Sequence, residues 1–313
     1  MGNFTFVGRR IIQLIPVLFG VTVITFFLIH LIPGDPVVAM LGNHYTPATA
    51  AAMRHALGLD RPLWSQYLIF MGNLFHGNLG TSIYYDQPVL GLILERLEPT
   101  AWLVLYSCIL ALVIAIPLAV VAAVNRNGIL DQVIRAAFVV TLAMPAFWFG
   151  IILILLLSIN LRLFPVTGFG SDFVDHLWHL FLPALTIALA FGAVLIRSLR
   201  NSILSVLRED YIRTARAKGV GRVRLMTKHV LRNAFLPTVT IFGVNVAFLI
   251  GSTVIIENVF AIGGVGQLLV SSILQRDYLV VQGITLLLAV FVVVVNLLTD
   301  VTYALLDPRI TYD

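Results

Sequence analysis

The chain has 313 residues, of which 59% are hydrophobic and only 11% charged, with a mean hydropathy of +0.99. A soluble domain is about 25% charged, so this composition excludes an ordinary soluble protein and points to one whose main solvent is lipid. The net charge of +5 and pI near 9.6 do not signal nucleic-acid binding, because the basic residues cluster between long apolar runs, as expected at a cytoplasmic membrane face.

Six uncharged runs are long enough to cross a bilayer, which takes about 20 helical residues: 11–34, 99–125, 136–161, 176–196, 233–256 and 278–299, the last extending as a span to 306. Lipid offers no partner to backbone polar groups, so each run is expected to be helical. The first follows Arg9 and Arg10, as a secretory signal would. Its apolar core exceeds the ~7–15 residues of a signal and has no small-residue cleavage site, so an uncleaved span is expected.

Residues 35–98 form the largest segment outside the runs. In "TPATAAAMRHALG", Thr46 suits an N-cap, Pro47 the first helical position and Gly58 the stop. A second short helix is expected from Pro62, with Leu63, Tyr67, Phe70, Met71 and Leu74 on one face. Pro117, Pro145 and Pro183 lie inside three later spans, where neighbouring helices can re-satisfy the freed carbonyls. "MPAFWFG", from Met144 and Pro145, combines a kink with aromatics that suit either helix packing or a pathway lining. His176 and His179, at the start of the fourth span, read as interfacial residues rather than metal ligands.

The segment 197–232 holds ten Lys/Arg. At a helix centre each costs roughly 2.5–3.5 kcal/mol to insert, so this block must lie outside the lipid. With the N-terminus inside, fifteen Lys/Arg fall on the inner side and five on the outer, which predicts cytoplasmic N- and C-termini. A polybasic lipid-binding patch explains the charge, at about 1 kcal/mol per residue near anionic lipid. It does not explain "YIRTARAKG", where Tyr211, Thr214, Ala215 and Lys218 can form a narrow face with small residues at its centre and Gly219 ends the helix.

Beyond the fifth span, "FAIGGVGQLL" places Gly263, Gly264 and Gly266 beside Glu257 and Asn258. It reads either as a surface turn or as a loop packed at a translocation mouth, irregular backbone being tolerated at membrane depth only in such places. Asn245, Asn296 and Asp300 are polar positions in or at the end of the last two spans. Both lysines, Lys218 and Lys228, lack the GxxxxGK[ST] context, and HExxH and GxSxG are absent from the sequence. No catalytic residue and no metal site is expected. Without a nucleotide site or intramembrane charge pairs, uphill transport would need another chain. The rivals are a lone secondary transporter or channel and a membrane-embedded enzyme.

"DYIRTARAKGVGRVRLMTKHVLRNAFLP" resembles the cytoplasmic loop signature of permease subunits in binding-protein-dependent ABC importers. Arg213, Thr214 and Ala215 hold the places of the family's acid and two small residues, and Gly219 that of its glycine. The missing acid and the more distant Leu236-Pro237 pair both resemble the dipeptide, oligopeptide and nickel branch. "RRIIQLIPVLFGVTVITFFLIHLIPGDPV", "LGLDRPLWSQYLIFMGNLFHGNLGTS" and "VIIENVFAIGGVGQLLVSSILQRDYLVVQG" resemble the same branch, so the likeness runs nearly end to end, to the first permease of the pair.

The resemblance implies a type I ABC importer permease: an all-α integral membrane fold of six transmembrane helices, with a core at 99–306. It implies a loop helix carrying Tyr211, Arg213, Thr214, Ala215, Lys218 and Gly219 that docks on an ATPase, and it favours the mouth reading for Glu257, Asn258, Gly263 and Gly264; Met144, Pro145 and Asn245 are added as pathway candidates by their residue types alone. The implied partners are a homologous second permease, two ATPase subunits or one double ATPase holding ATP and Mg, an extracytoplasmic solute-binding protein and membrane lipid, with no nucleic acid. This chain would hold no cofactor of its own, and the setting would be a prokaryotic cytoplasmic membrane.

Overall fold

The structure, a computed structural model, describes residues 2–31, 36–42, 45–56 and 58–306. Residues 32–34, at the end of the first expected span, and Arg309 lie outside the described residues, as do the side chains of Arg9, Arg10 and Asp300. Among the described residues every regular element is a helix, beside one isolated bridge between Thr81 and Pro88. In chain order they are α1 (Gly2–Leu31), α2 (Pro36–Leu41), α3 (Pro47–Ala56), α4 (Leu63–Phe75), α5 (Val89–Val124), α6 (Ile129–Ala143), α7 (Ala146–Leu153), α8 (Phe173–Val206), α9 (Asp210–Ala217), α10 (Arg222–Arg224), α11 (Arg232–Val259), α12 (Val265–Leu274) and α13 (Tyr278–Leu306). Two π-helical turns, Ile154–Asn160 and Leu225–Leu231, extend α7 and join α10 to α11.

Four of these rods are long and apolar enough to cross a membrane: α5, α8, Arg222–Val259 and the Tyr278–Thr299 part of α13. The third expected span, 136–161, is not one straight helix. It breaks at Met144–Pro145, where α6 and the Ala146–Asn160 helix meet at 105°, and would count as a fifth span if the bent pair is one. Met144 is extended (φ −105°, ψ 141°), the conformation that a following proline imposes. The helix therefore stops rather than kinks. In α1 the shorter stretch Ile12–Phe27 is the apolar part.

The segment between α1 and α5 follows its local chemistry. Thr46 Oγ1 accepts from the Thr49 N–H at 3.0 Å and Thr49 Oγ1 from the Thr46 N–H at 2.9 Å, a reciprocal cap that starts α3. Gly58, at φ +67°, follows its end. On α4, Tyr67, Phe70, Met71 and Leu74 are half-buried while Leu63 stays exposed. Tyr67 lies against α1, its hydroxyl 2.8 Å from Thr22 Oγ1 and its ring 5.4 Å from that of Phe26.

Helix α8 is the centre of the bundle, packed between α5 and α11. The face that α5 offers it is small: Ser107, Ala111, Ala115, Ala119 and Ala123, four residues apart and all buried. Small residues let helix axes approach closely, which replaces the hydrophobic driving force that lipid cannot supply between helices. Into that face pack Leu195, Leu199 and Ala188 of α8.

Both α5 and α8 outrun their uncharged stretches. Helix α5 starts at Val89 rather than Pro99, because Val89, Leu92 and Ile93 pack on Val265, Leu268, Val280 and Ile284 while Glu95, Arg96 and Glu98 stay exposed. Helix α8 continues to Val206, its buried Leu199 and Ile203 carrying the apolar stripe past Arg197.

Candidate functional site

The basic block folds as a short helix and the start of a long one. Helix α9 begins with Asp210 in its first turn and has Arg216 in its last, both favourable to the helix dipole. Its end is a complete Schellman motif. The Gly219 N–H donates to the Arg216 carbonyl at 2.9 Å and the Val220 N–H to the Ala215 carbonyl at 3.2 Å, with Gly219 at φ +78°. That left-handed conformation is why a glycine stands there, and a Cβ would meet nothing within 4 Å.

Helix α9 is anchored by one side chain. Ile212 is fully buried in the same core as Ile203, Leu225, Val230 and Ala234, and Ala215 is half-buried beside it. Tyr211 is exposed, and its hydroxyl accepts from Asn233 Nδ2 of α11 at 2.8 Å. The sequence places Ala215 with Tyr211, Thr214 and Lys218. The structure turns Ala215 inward with Ile212, leaving Tyr211, Arg213, Thr214, Lys218 and Gly219 outward. All seven Lys/Arg from Arg213 to Arg232 are exposed. The arrangement is an exposed cationic helix seated through Ile212 on a core that it shares with α8 and α11.

A second polar cluster lies at the far end of α11. Glu257, fully buried, accepts from Thr100 Oγ1 at 2.7 Å and from the Gln267 N–H at 3.1 Å. Thr100 Oγ1 in turn accepts from the Val265 N–H at 2.9 Å. A buried carboxylate thus caps the first turn of α12, where free N–H groups and the helix dipole favour negative charge. A Cβ on Gly264 would collide with Thr100 Oγ1 and Glu257, and one on Gly266 would lie 2.5 Å from Val254 Cα. Residues 257–277 are mostly helical, the end of α11 and all of α12, and Gly264 and Gly266 serve close approach.

The pathway candidates fall in different settings. Glu257 and Gly264 are buried within the chain, and Gly263 is half-buried, its carbonyl accepting from Arg96 Nη1 at 3.1 Å. Asn258 and Asn245 are half-buried, each bonded to the carbonyl one turn back on its own helix. Met144 and Pro145 occupy the break between α6 and α7, Pro145 exposed. None of these seven residues lines either of the two cavities found between the described helices. A cavity of about 480 Å³ lies instead between α1, α3, α4 and the start of α13, with Arg61, Gln66 and Gln282 among its lining.

Residues 115–312 match the family described as the binding-protein-dependent transport system inner membrane component, and 3–113 the N-terminal model of such membrane components. The chain belongs to this permease family. The permease is 43% identical to the oligopeptide transport system permease protein AppB of Bacillus subtilis, over 98% of this chain and 99% of that one. It is 38% identical to the dipeptide transport system permease protein DppB of Escherichia coli K12 (98% of each chain), and 40% identical to the glutathione transport system permease protein GsiC of Pectobacterium atrosepticum (97% and 98%). Its fold matches the inward-facing MetNI methionine ABC transporter with a TM-score of 0.59 at 18% identity, over 70% of this chain and 97% of that one. The fold is thus that of a type I ABC importer permease, and its class is a transport component rather than a membrane enzyme.

Three features of the permease escape a reading of the sequence. Thr100 and Gln267, which hold Glu257, are ordinary polar residues 157 and 10 positions from it. Ile212 is signalled only as an apolar residue inside a basic block. Asp131, fully buried, accepts from Arg200 Nε and Nη2 at 2.7 Å each and from the Asn127 N–H at 2.9 Å, locking α6 to α8. Its one available signal is being an acid between two arginine-bearing segments.

Proposed function

We propose that this permease forms half of a translocation pathway for small peptides or related solutes in an ATP-driven importer, and that α9 is the contact through which a separate ATPase moves it. The observation that carries the reading is α9 itself: its outward face is cationic and exposed, and its inward face is a buried isoleucine continuous with the bundle core. A push on such a helix reaches α8 and α11 directly. The peptide substrate class rests on the printed names of the AppB and DppB relatives.

In this reading the permease is a six-span protein of a prokaryotic inner membrane, with α1 as first span and both termini cytoplasmic. A homologous second permease completes the pathway, an extracytoplasmic solute-binding protein delivers substrate, and two ATPase subunits or one double ATPase hold ATP and Mg. Closure of the ATPases would carry α9 with it and open the cavity outward. Met144, Pro145 and Asn245 border the pathway, whereas Glu257, Gly263 and Gly264 shape its mouth by fixing α12, with Asn258 beside them.

Gly219→Pro tests the coupling. Proline holds φ near −65° and has no N–H, so it cannot occupy the Schellman position. ATP-dependent peptide uptake into vesicles should fall at least about tenfold, with the chain still inserted and ATP still hydrolysed by the complex. Unchanged uptake would remove α9 as the coupling element.

A further inference from the structure

A second cavity, of about 230 Å³, opens between α6 and α8, with Arg135, Arg197 and Arg200 at its polar end and Phe138, Val139 and Leu142 along its wall. We infer that it is a binding site for the headgroup of an anionic phospholipid.

The charges are not matched within the chain. Asp131 is the carboxylate at this cluster, and Arg200 engages both its oxygens at 2.7 Å. Arg135 reaches Asp131 with one nitrogen at 3.6 Å and is about half exposed. Arg197 is exposed, and among the described residues no carboxylate pairs with it. Three guanidinium groups against one carboxylate leave an excess of +2, with the Arg135 and Arg197 donors available. A guanidinium presents parallel N–H groups that match a phosphate bidentately.

The apolar wall selects among anions. Val139 is 67% and Leu142 49% exposed, and they continue α6 away from the arginines. A free inorganic anion has no use for that wall, whereas an acyl chain does. Arg197 directly follows the apolar run of α8 and Arg135 directly precedes that of α6. Both thus sit at the level where a membrane-embedded helix meets lipid phosphates, and basic pockets between spans at this depth hold anionic headgroups. The site needs only membrane embedding. The orientation proposed above assigns it to the inner leaflet, but its occupancy does not depend on α9 coupling.

Native mass spectrometry of the full-length chain with its co-purifying subunits, after exposure to dioleoyl phosphatidylglycerol or dioleoyl phosphatidylcholine, reads the occupancy. Phosphatidylglycerol should be retained several-fold over phosphatidylcholine. Arg135→Gln with Arg197→Gln should lower that retention about thirtyfold, since each arginine near anionic lipid contributes on the order of 1 kcal/mol and every 1.4 kcal/mol is tenfold, and Arg197→Lys should keep most of it. Where the double variant does not assemble, Arg197→Gln alone, at an exposed and unpaired side chain, should lower retention severalfold. Equal retention of the two lipids, retention unchanged in the variants, or displacement of phosphatidylglycerol by millimolar inorganic phosphate would each overturn the assignment.

Discussion

Glu257 is a buried carboxyl group, and among the described residues its bonded partners are uncharged donors. Burying a carboxylate is costly unless donors surround it, and here they come from Thr100 and from the first turn of α12. Glu257→Ala would strand Thr100 Oγ1 and the Gln267 N–H, at about 1–3 kcal/mol for each buried group left unpaired. The purified complex should melt several degrees lower. Glu257→Gln, which keeps one acceptor oxygen, should fall between Ala and wild type. A melting point unmoved by Glu257→Ala would show that the cap does not stabilise the outer end. Glu257 and the glycines around it could be read from the sequence either as a surface turn or as a loop at a translocation mouth. That they form one buried cap could not be read there, because half of it, Thr100, is supplied by another span.

The alanine stripe of α5 works through its smallness. Ala115 is about 1% exposed within the α5–α8 contact, while Val113, on the same helix, is 61% exposed. Ala115→Leu would force side chains into a filled interface, at a cost of roughly 1–3 kcal/mol. It should lower both the melting temperature and the yield of assembled protein, and Val113→Leu should change neither. Equal effects would mean the stripe is not a packing seam. Helix boundaries were less legible than helix existence. Searching for uncharged runs finds the lipid-facing middle of a rod. It misses ends such as the first turns of α5 and the last of α8, where charged residues face outward while Leu92, Ile93 and Ile203 remain buried. Helix α9 could be read as a short helix ended by glycine, but the side it presents could not. Its helical period allows Ala215 to face either way, and the core under Ile212 settles it inward.

Orientation is a property of the assembled bundle in its membrane, and it can be checked directly. In a Cys108→Ser background, Arg224→Cys, exposed after α9, should react with a membrane-impermeant maleimide in inside-out vesicles and not in intact cells, and His76→Cys, exposed after α4, should do the reverse. The opposite pattern would place α9 outside and overturn its proposed contact with a cytosolic motor. Membrane residence, the number of apolar runs and the exclusion of the basic block from lipid were readable along the chain, because transfer costs add residue by residue and need no knowledge of neighbours. The break at Pro145, the lock of Asp131 on Arg200, the seat of Ile212 and the cap at Glu257 needed the folded bundle. Each depends on which surfaces of distant helices meet, and that choice is made by packing and by satisfying buried polar groups across the whole chain at once.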